Sequence, residues 1–271
     1  MLAARLTRQG ATAMAESEVL KYDRRANHVI LTMNRPEKRN ALNRAMFEQF
    51  ARAFDAIEAD KSIRAVVLRG EGRAFSSGID LREIDQVEAS NAPTVTAHQI
   101  FARLEGLAIP TMAAVQGPTL TGGLVLALLC DLRIAAEGAS LGMTPARIGR
   151  VPDYFVFRKF MALIGPAHTA EIMYTADPLK AGRALEIGLV DRVVPDDRLA
   201  AEADALAEKI SGNAPLSLRA MKASIRCCLS EAYAADHKEI DAMRAAVWRS
   251  KDGKEGVRAF LEKRKPVWTG E

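Results

Sequence analysis

The chain has 271 residues, of which 49% are hydrophobic and 27% charged. That is ordinary globular composition, long enough for one large domain with an appendage, and it excludes a disordered chain or a disulfide scaffold. The net charge of +4 comes from Lys and Arg dispersed along the sequence, so a solvated basic surface is expected, not a nucleic-acid interface.

Residues 1–17 are expected to be a disordered extension. The first fifteen carry two arginines and no acid, and Met14 offers a second start. A mitochondrial targeting role for residues 1–13 is the alternative to a cytoplasmic protein. "VLKYDRRANHVILTMNRP" (19–36) predicts two strands around an Arg-Ala-Asn turn, with alternation clearest at His28 to Met33. Asn43 suits the cap of a helix carrying Met46, Phe47, Phe50, Phe54 and Ile57 on one face. Residues 65–70 read as a strand covered on both sides. The glycine-rich loop "GEGRAFSSGIDLREI" follows. A helix is expected over 94–108, with Val95, Phe101, Leu104 and Leu107 inward, and a strand over 111–117.

That strand leads into "GPTLTGGLVLALLCD" (117–131), where two glycines precede an apolar helix with no charge until Asp131. A strand at 132–137, a helix around 154–164 and a last strand in "GLVDRVV" (188–194) complete an α/β core over 18–196. From 197 to 271 the pattern is helical. No stretch reaches 18 uninterrupted apolar residues, so no membrane span is expected. Cys130, Cys227 and Cys228 have no metal spacing and read as reduced thiols. No metal cluster, P-loop or G-x-G-x-x-G is present.

Both glycine loops follow a buried strand and precede a helix. Free N–H groups at a helix start carry partial positive charge, and two aimed at one point would make an oxyanion hole. The spacing alone leaves this open, because such turns occur throughout α/β folds.

The wording of the loops is more specific. "MNRPEKRNALN" (33–43), "AFSSGIDLREI" (74–84), "AAVQGPTLTGGLVLALLCDLRIA" (113–135) and "EGVRAFLEKRKPVW" (255–268) resemble, in order, the signature regions of the crotonase (enoyl-CoA hydratase/isomerase) superfamily. The likeness runs from about residue 18 to 268. It implies an α/β spiral of ββα units with a C-terminal helical oligomerisation region, assembling homotrimers or hexamers. It also implies an acyl-CoA substrate, with coenzyme A as part of the substrate and no further cofactor. By position, the N–H groups of Ile79 and Gly122 would hold the thioester oxygen. Arg39, Ala41 and Arg82 fall at coenzyme A-binding positions, the two arginines otherwise being solvated loop residues. Lys263 matches a C-terminal position that reaches a neighbouring subunit's coenzyme A.

The acids depart from the hydratase pattern. Where hydratases resemble one another in carrying two glutamates, this chain has Val125 and Pro145. Adding water needs a base for the water and an acid for the α-carbon, so hydration of the usual kind is disfavoured. Asp153 coincides with the catalytic aspartate of 4-chlorobenzoyl-CoA dehalogenases and with an acid of dienoyl-CoA isomerases. Its alternative reading is a helix N-cap. His98 lies 24 residues before Gly122, the separation of the dehalogenase histidine, and is either a base or a structural helix residue. The tryptophan that dehalogenases carry shortly before the aspartate is missing, since only Trp248 and Trp268 occur.

The resulting expectation is an acyl-CoA enzyme that stabilises a thioester enolate and shifts a double bond by proton transfer through Asp153. The rivals are dehalogenase-like or hydrolytic chemistry with Asp153 as nucleophile, a hydratase of unusual mechanism, and a non-catalytic coenzyme A- or RNA-binding relative.

Overall fold

The structure, a computed structural model, describes residues 18–82, 95–230, 245–246 and 248–267. The expected extension, His237 and Trp268 lie outside the described residues, as do the side chains of Cys227 and Cys228.

Strand β1 (Leu20–Arg24) pairs antiparallel with β2 (His28–Met33). Helix α1 (Arg44–Ala59) starts at Asn43, whose side-chain oxygen accepts the Met46 N–H at 3.0 Å. Its five expected inward residues are all buried. Strand β3 (Ala65–Gly70) joins β2 in parallel. Helix α2 (Ala97–Gly106) is shorter than the 94–108 anticipated, because Thr96 and Gln99 form a reciprocal capping box that sets its start.

Strand β4 (Thr111–Val115) follows, then a short strand β5 (Pro118–Leu120), helix α3 (Gly122–Leu129), β6 (Leu132–Ala136) and β7 (Ser140–Gly142). Helix α4 (Tyr154–Thr175) bends at Gly165 and continues past the residue 164 expected as its end. Strand β8 (Leu179–Lys180), α5 (Ala181–Glu186) and β9 (Arg192–Val194) precede α6 (Leu199–Ser211), α7 (Pro215–Ser230) and α8 (Lys251–Leu261).

Six strands form one sheet in the order β1-β2-β3-β4-β6-β9, parallel from β2 onward. Every residue of β2 is buried because both faces of the sheet are covered. Val29, Leu31 and Met33 face the larger core with α1, α3 and α4, whereas Ile30 faces a smaller core with Val67, Met112 and Ile134. The period of two divides the strand between two cores. Leu199, Ala203 and Ala207, four residues apart on α6, cover the smaller core. The first helix of the anticipated helical region therefore packs on the sheet.

Strands β5, β7 and β8 make a second, smaller sheet. Single-residue bridges, Ser76 to Thr119 and Leu42 to Ile79, extend its pairing into the glycine loops. Helix α7 is fastened by Lys222, which is 5% exposed. Its Nζ donates to Asp131 Oδ2 at 2.7 Å and to the Ile109 carbonyl at 2.9 Å. Among the described residues no helix is long and apolar enough to cross a membrane.

His28 opens β2 on the α6 side and is buried, with no hydrogen-bond partner for Nε2 among the described residues. Burial lowers its pKa below the ordinary 6.5, against the upward pull of Asp204 and Glu208 and with the help of Arg25 and Arg24. The unfolded chain thus binds a proton more readily than the folded one. Stability is full above the ordinary value and falls as pH drops below it. Thermal unfolding between about pH 7.5 and about 5.5 should show a falling midpoint in the wild type and a shallower fall in His28→Leu. Equal slopes would remove His28 from the account.

Candidate active site

Strands β3 and β4 are hydrogen-bonded neighbours, Val66 opposite Thr111 through Arg69 opposite Ala114. Parallel strands end at the same sheet edge, so the loops that follow them emerge side by side. The first loop is tied down by Asn40, which is fully buried. Its Nδ2 donates to the carbonyls of Glu71 and Ala74 at 2.9 and 2.7 Å, and its Oδ1 accepts the Arg35 N–H at 2.8 Å. Ser76 Oγ donates to the Asn40 carbonyl at 2.8 Å and accepts the Gly78 N–H at 3.2 Å.

The second loop is joined to the first where the Leu120 N–H donates to the Ser76 carbonyl at 2.9 Å. Thr121 then takes φ 48° and ψ −118°, turning the chain sharply into α3. Gly78, at φ 97°, lies so close to Thr121 that a Cβ would overlap the Thr121 hydroxyl. A Cβ on Gly123 would stand 2.5 Å from the Ser76 carbonyl oxygen. One on Gly122 would stand 3.1 Å from Ile79 Cγ1 and 3.4 Å from Ile79 N. Glycine here lets two backbones approach where side chains would hold them apart.

This approach sets the Ile79 N–H beside the first turn of α3. Leu42 bonds to both sides of Ile79, its N–H donating to the Gly78 carbonyl and its carbonyl accepting the Asp80 N–H, each at 2.8 Å. Because successive residues of an extended strand present their backbone groups to alternate sides, the N–H of Ile79 itself points away from Leu42. Neither it nor the Gly122 N–H has a hydrogen-bond partner among the described residues. Two unspent donors beside a helix N-terminus suit an oxygen that gains negative charge.

The two residues line a cavity of about 420 Å³ together with Val125, Pro145 and Asp153. Most of the wall is apolar, including Phe101, Met143, Val156 and Phe260. In such surroundings a dipole acts more strongly on a developing charge than it does in water. Asp153 is the only carboxylate among the described lining residues. It occupies the N-cap position of α4, yet its side chain makes no capping hydrogen bond.

The other expected site residues lie elsewhere. His98 is exposed on α2 and does not line the cavity; its ring meets Phe155, a lining residue, edge-on with centroids 5.6 Å apart. Arg39, Ala41, Arg82 and Lys263 also lie off this cavity. Arg39 is exposed in a left-handed turn, and its carbonyl accepts the Ser77 N–H at 2.9 Å. Ala41 is buried beside Leu42, Arg82 is exposed just past Ile79, and Lys263 is exposed beyond α8. No group of three or more metal-ligating side chains occurs among the described residues.

Sequence reasoning missed what the C-terminal segment contributes. Trp248, Phe260 and Arg264 reach the cavity from far along the chain. Arg150, also lining it, stacks its guanidinium 4.0 Å from the centre of the Trp248 ring and donates to the Trp248 carbonyl at 3.1 Å. The Gly256 stretch of α8 runs against the Ile148 backbone, which brings Phe260 to the opening. Nothing local in sequence signals contacts across about a hundred residues.

The sequence model of the enoyl-CoA hydratase/isomerase family matches residues 23–271. The chain belongs to that family. A putative enoyl-CoA hydratase of Thermus thermophilus is 37% identical over 88% of this chain and 95% of its own length. The 2,3-dehydroadipyl-CoA hydratase of Escherichia coli is 32% identical over 93% of this chain and 98% of its own. Among solved structures, an enoyl-CoA hydratase/isomerase from Pseudoalteromonas atlantica superposes with a TM-score of 0.84 at 31% identity, covering 93% of this chain and all of that one. Methylmalonyl-CoA decarboxylase gives 0.84 at 29% identity, covering 93% and 98%. The fold is thus that of the crotonase superfamily, and the family acts on acyl-CoA thioesters.

The geometry separates two neighbouring glycines. Gly122→Ala meets the Ile79 side chain at Cγ1, a contact relieved by a shift of a few tenths of an ångström, and fills the space beside its N–H. The expected result is a thermal midpoint close to wild type with catalytic exchange reduced about 100-fold or more. Gly123→Ala puts its methyl into the Ser76 backbone and should lower the midpoint itself. Both are read by thermal unfolding alongside exchange of a thioester's α-hydrogens for deuterium. An active Gly122→Ala enzyme would contradict the hole.

Proposed function

We propose that this family member forms an enolate of an acyl-CoA thioester in an oxyanion hole made by the Ile79 and Gly122 N–H groups. Asp153 then moves the proton, and the reaction is double-bond isomerisation of an enoyl-CoA. The observation that carries the reading is the single carboxylate among the described cavity residues. Isomerisation removes a proton at one carbon and returns one at another, which a single acid–base group can serve. Hydration needs water and carbon handled together. Val125 and Pro145, where the family resemblance places the hydratase glutamates, both line the cavity and have no side-chain proton to give.

On this reading coenzyme A lies along Arg39, Ala41 and Arg82, which flank the Ile79 segment, and Lys263 serves a neighbouring copy. The exposed apolar side chains of Met221 and Ile225, one helical turn apart on α7, support assembly into trimers or hexamers.

A second reading, loss of carbon dioxide from a carboxylated acyl thioester, is favoured by the likeness to methylmalonyl-CoA decarboxylase. Breaking that carbon–carbon bond leaves its electron pair on the α-carbon as the enolate. No base is required, and a proton donor completes the reaction.

Incubation with aliphatic, dienoyl and carboxylated acyl-CoAs in deuterium oxide, followed by mass spectrometry, distinguishes these outcomes. Deuterium uptake without change of composition is expected, and Asp153→Asn should slow it about 100-fold or more while thioester binding stays within a few-fold. A hydrated product would overturn isomerisation. Carbon dioxide release would select the second reading, and a covalent adduct on Asp153 would make it a nucleophile.

A further inference from the structure

We infer that Arg35 and Asp80 are positioning residues that hold the Ile79 N–H in place through an ion pair; the inference rests on the Ile79–Gly122 reading of the hole. Asp80 directly follows Ile79. Its Oδ2 accepts from Arg35 Nη1 at 3.2 Å, and the same nitrogen donates to the Ala41 carbonyl at 2.6 Å. One guanidinium nitrogen thus grips both strands of the Leu42–Ile79 bridge, one residue before Leu42 and one residue after Ile79. The backbone end of Arg35 is fixed as well, since its N–H donates to buried Asn40.

The pair is well placed to matter. The Arg35 and Asp80 side chains are only 14% and 15% exposed, so salt and water screen them less than a surface pair. The bridge itself consists of two hydrogen bonds around a single residue, with no longer strand to keep its register. Asp80 Oδ1 also accepts the Arg82 N–H at 3.4 Å, so the carboxylate turns the chain just after the donor.

There is an electrostatic side to the same contact. A carboxylate one residue from an oxyanion donor opposes the negative charge that the donor is meant to favour. Arg35 offsets that field, and removing it leaves the Asp80 charge, one residue from the donor, uncompensated. Neither residue lines the cavity, so the effect passes through the Ile79 backbone.

The test compares wild type with Arg35→Met, Arg35→Lys, Asp80→Asn and the Arg35→Met/Asp80→Asn double variant. The probe is butyryl-CoA with a carbon-13 carbonyl, read by infrared difference spectra, with α-hydrogen exchange giving kcat and KM. In wild type the bound carbonyl band should move to lower frequency. In Arg35→Met that shift should largely vanish and kcat fall about 10- to 100-fold, with KM within about threefold. Arg35→Lys should recover part of both. The double variant should be no worse than Arg35→Met, since the two residues act as one unit. A full carbonyl shift in Arg35→Met, whatever its thermal stability, would make the pair merely structural and overturn the inference. A wild type that binds the probe without any shift would instead overturn the oxyanion hole on which it rests.

Discussion

Two stretches of backbone, 76–79 and 121–123, pass closer than side chains allow, and the rest of the site follows from that contact. The sheet makes it possible, because β3 and β4 pair in parallel and release their loops at one edge. The glycines make it close, because Cβ atoms at 78 and 123 would collide with Thr121 and Ser76. The cost is paid locally in an awkward Thr121 backbone and a tightly folded Asn40 loop. Such strain persists only where surrounding bonds over-determine it, and Asn40 and Ser76 supply them.

Helix α3 is the complement of this contact. All eight of its residues are buried, and none carries a polar side chain. Its use to the site lies in its backbone: an N-terminus delivered at a fixed angle by a rigid apolar rod. Cys130, at its end, is buried so completely that its thiol pKa is pushed up to about 12, which keeps it a small packing residue without reactivity. Asp131 then takes up Lys222 and the Thr111 backbone, fastening the far end of α3 to β4 and α7.

The elements legible from sequence are those with repeated physical signals. Alternation over six residues marked β2, and five apolar residues on one face with Asn43 before them marked α1. The strands of the small sheet are two or three residues long, too short for any period, and their pairing is set by the glycine loops they meet. His98 shows a different failure. Its distance in sequence from Gly122 suited a base, but the capping box at Thr96 fixes the helix phase. Ile100, Phe101 and Leu104 then turn inward and His98 faces outward. Sequence separation places a residue on an element; only the element's rotation decides which way it faces. Trp248 fails in the opposite sense. It stood out as missing from the expected place, and the fold supplies it to the cavity from the C-terminal side.

The same distinction between backbone and side chain bears on the chemistry. An oxyanion hole of N–H groups survives almost any substitution that preserves the backbone, which is why Ile at 79 is no obstacle. Acid–base groups are side chains and can be lost or moved one at a time. With valine at 125 and proline at 145, the proposed chemistry keeps the part that lowers the energy of an enolate and moves the proton-handling part to the start of α4. There Asp153 stands at the start of α4, on the wall of the cavity that Ile79 and Gly122 also line. On the proposed reading the same carboxylate takes a proton from one carbon and delivers one to another. The enolate waiting in the hole makes that return step the one that selects the product.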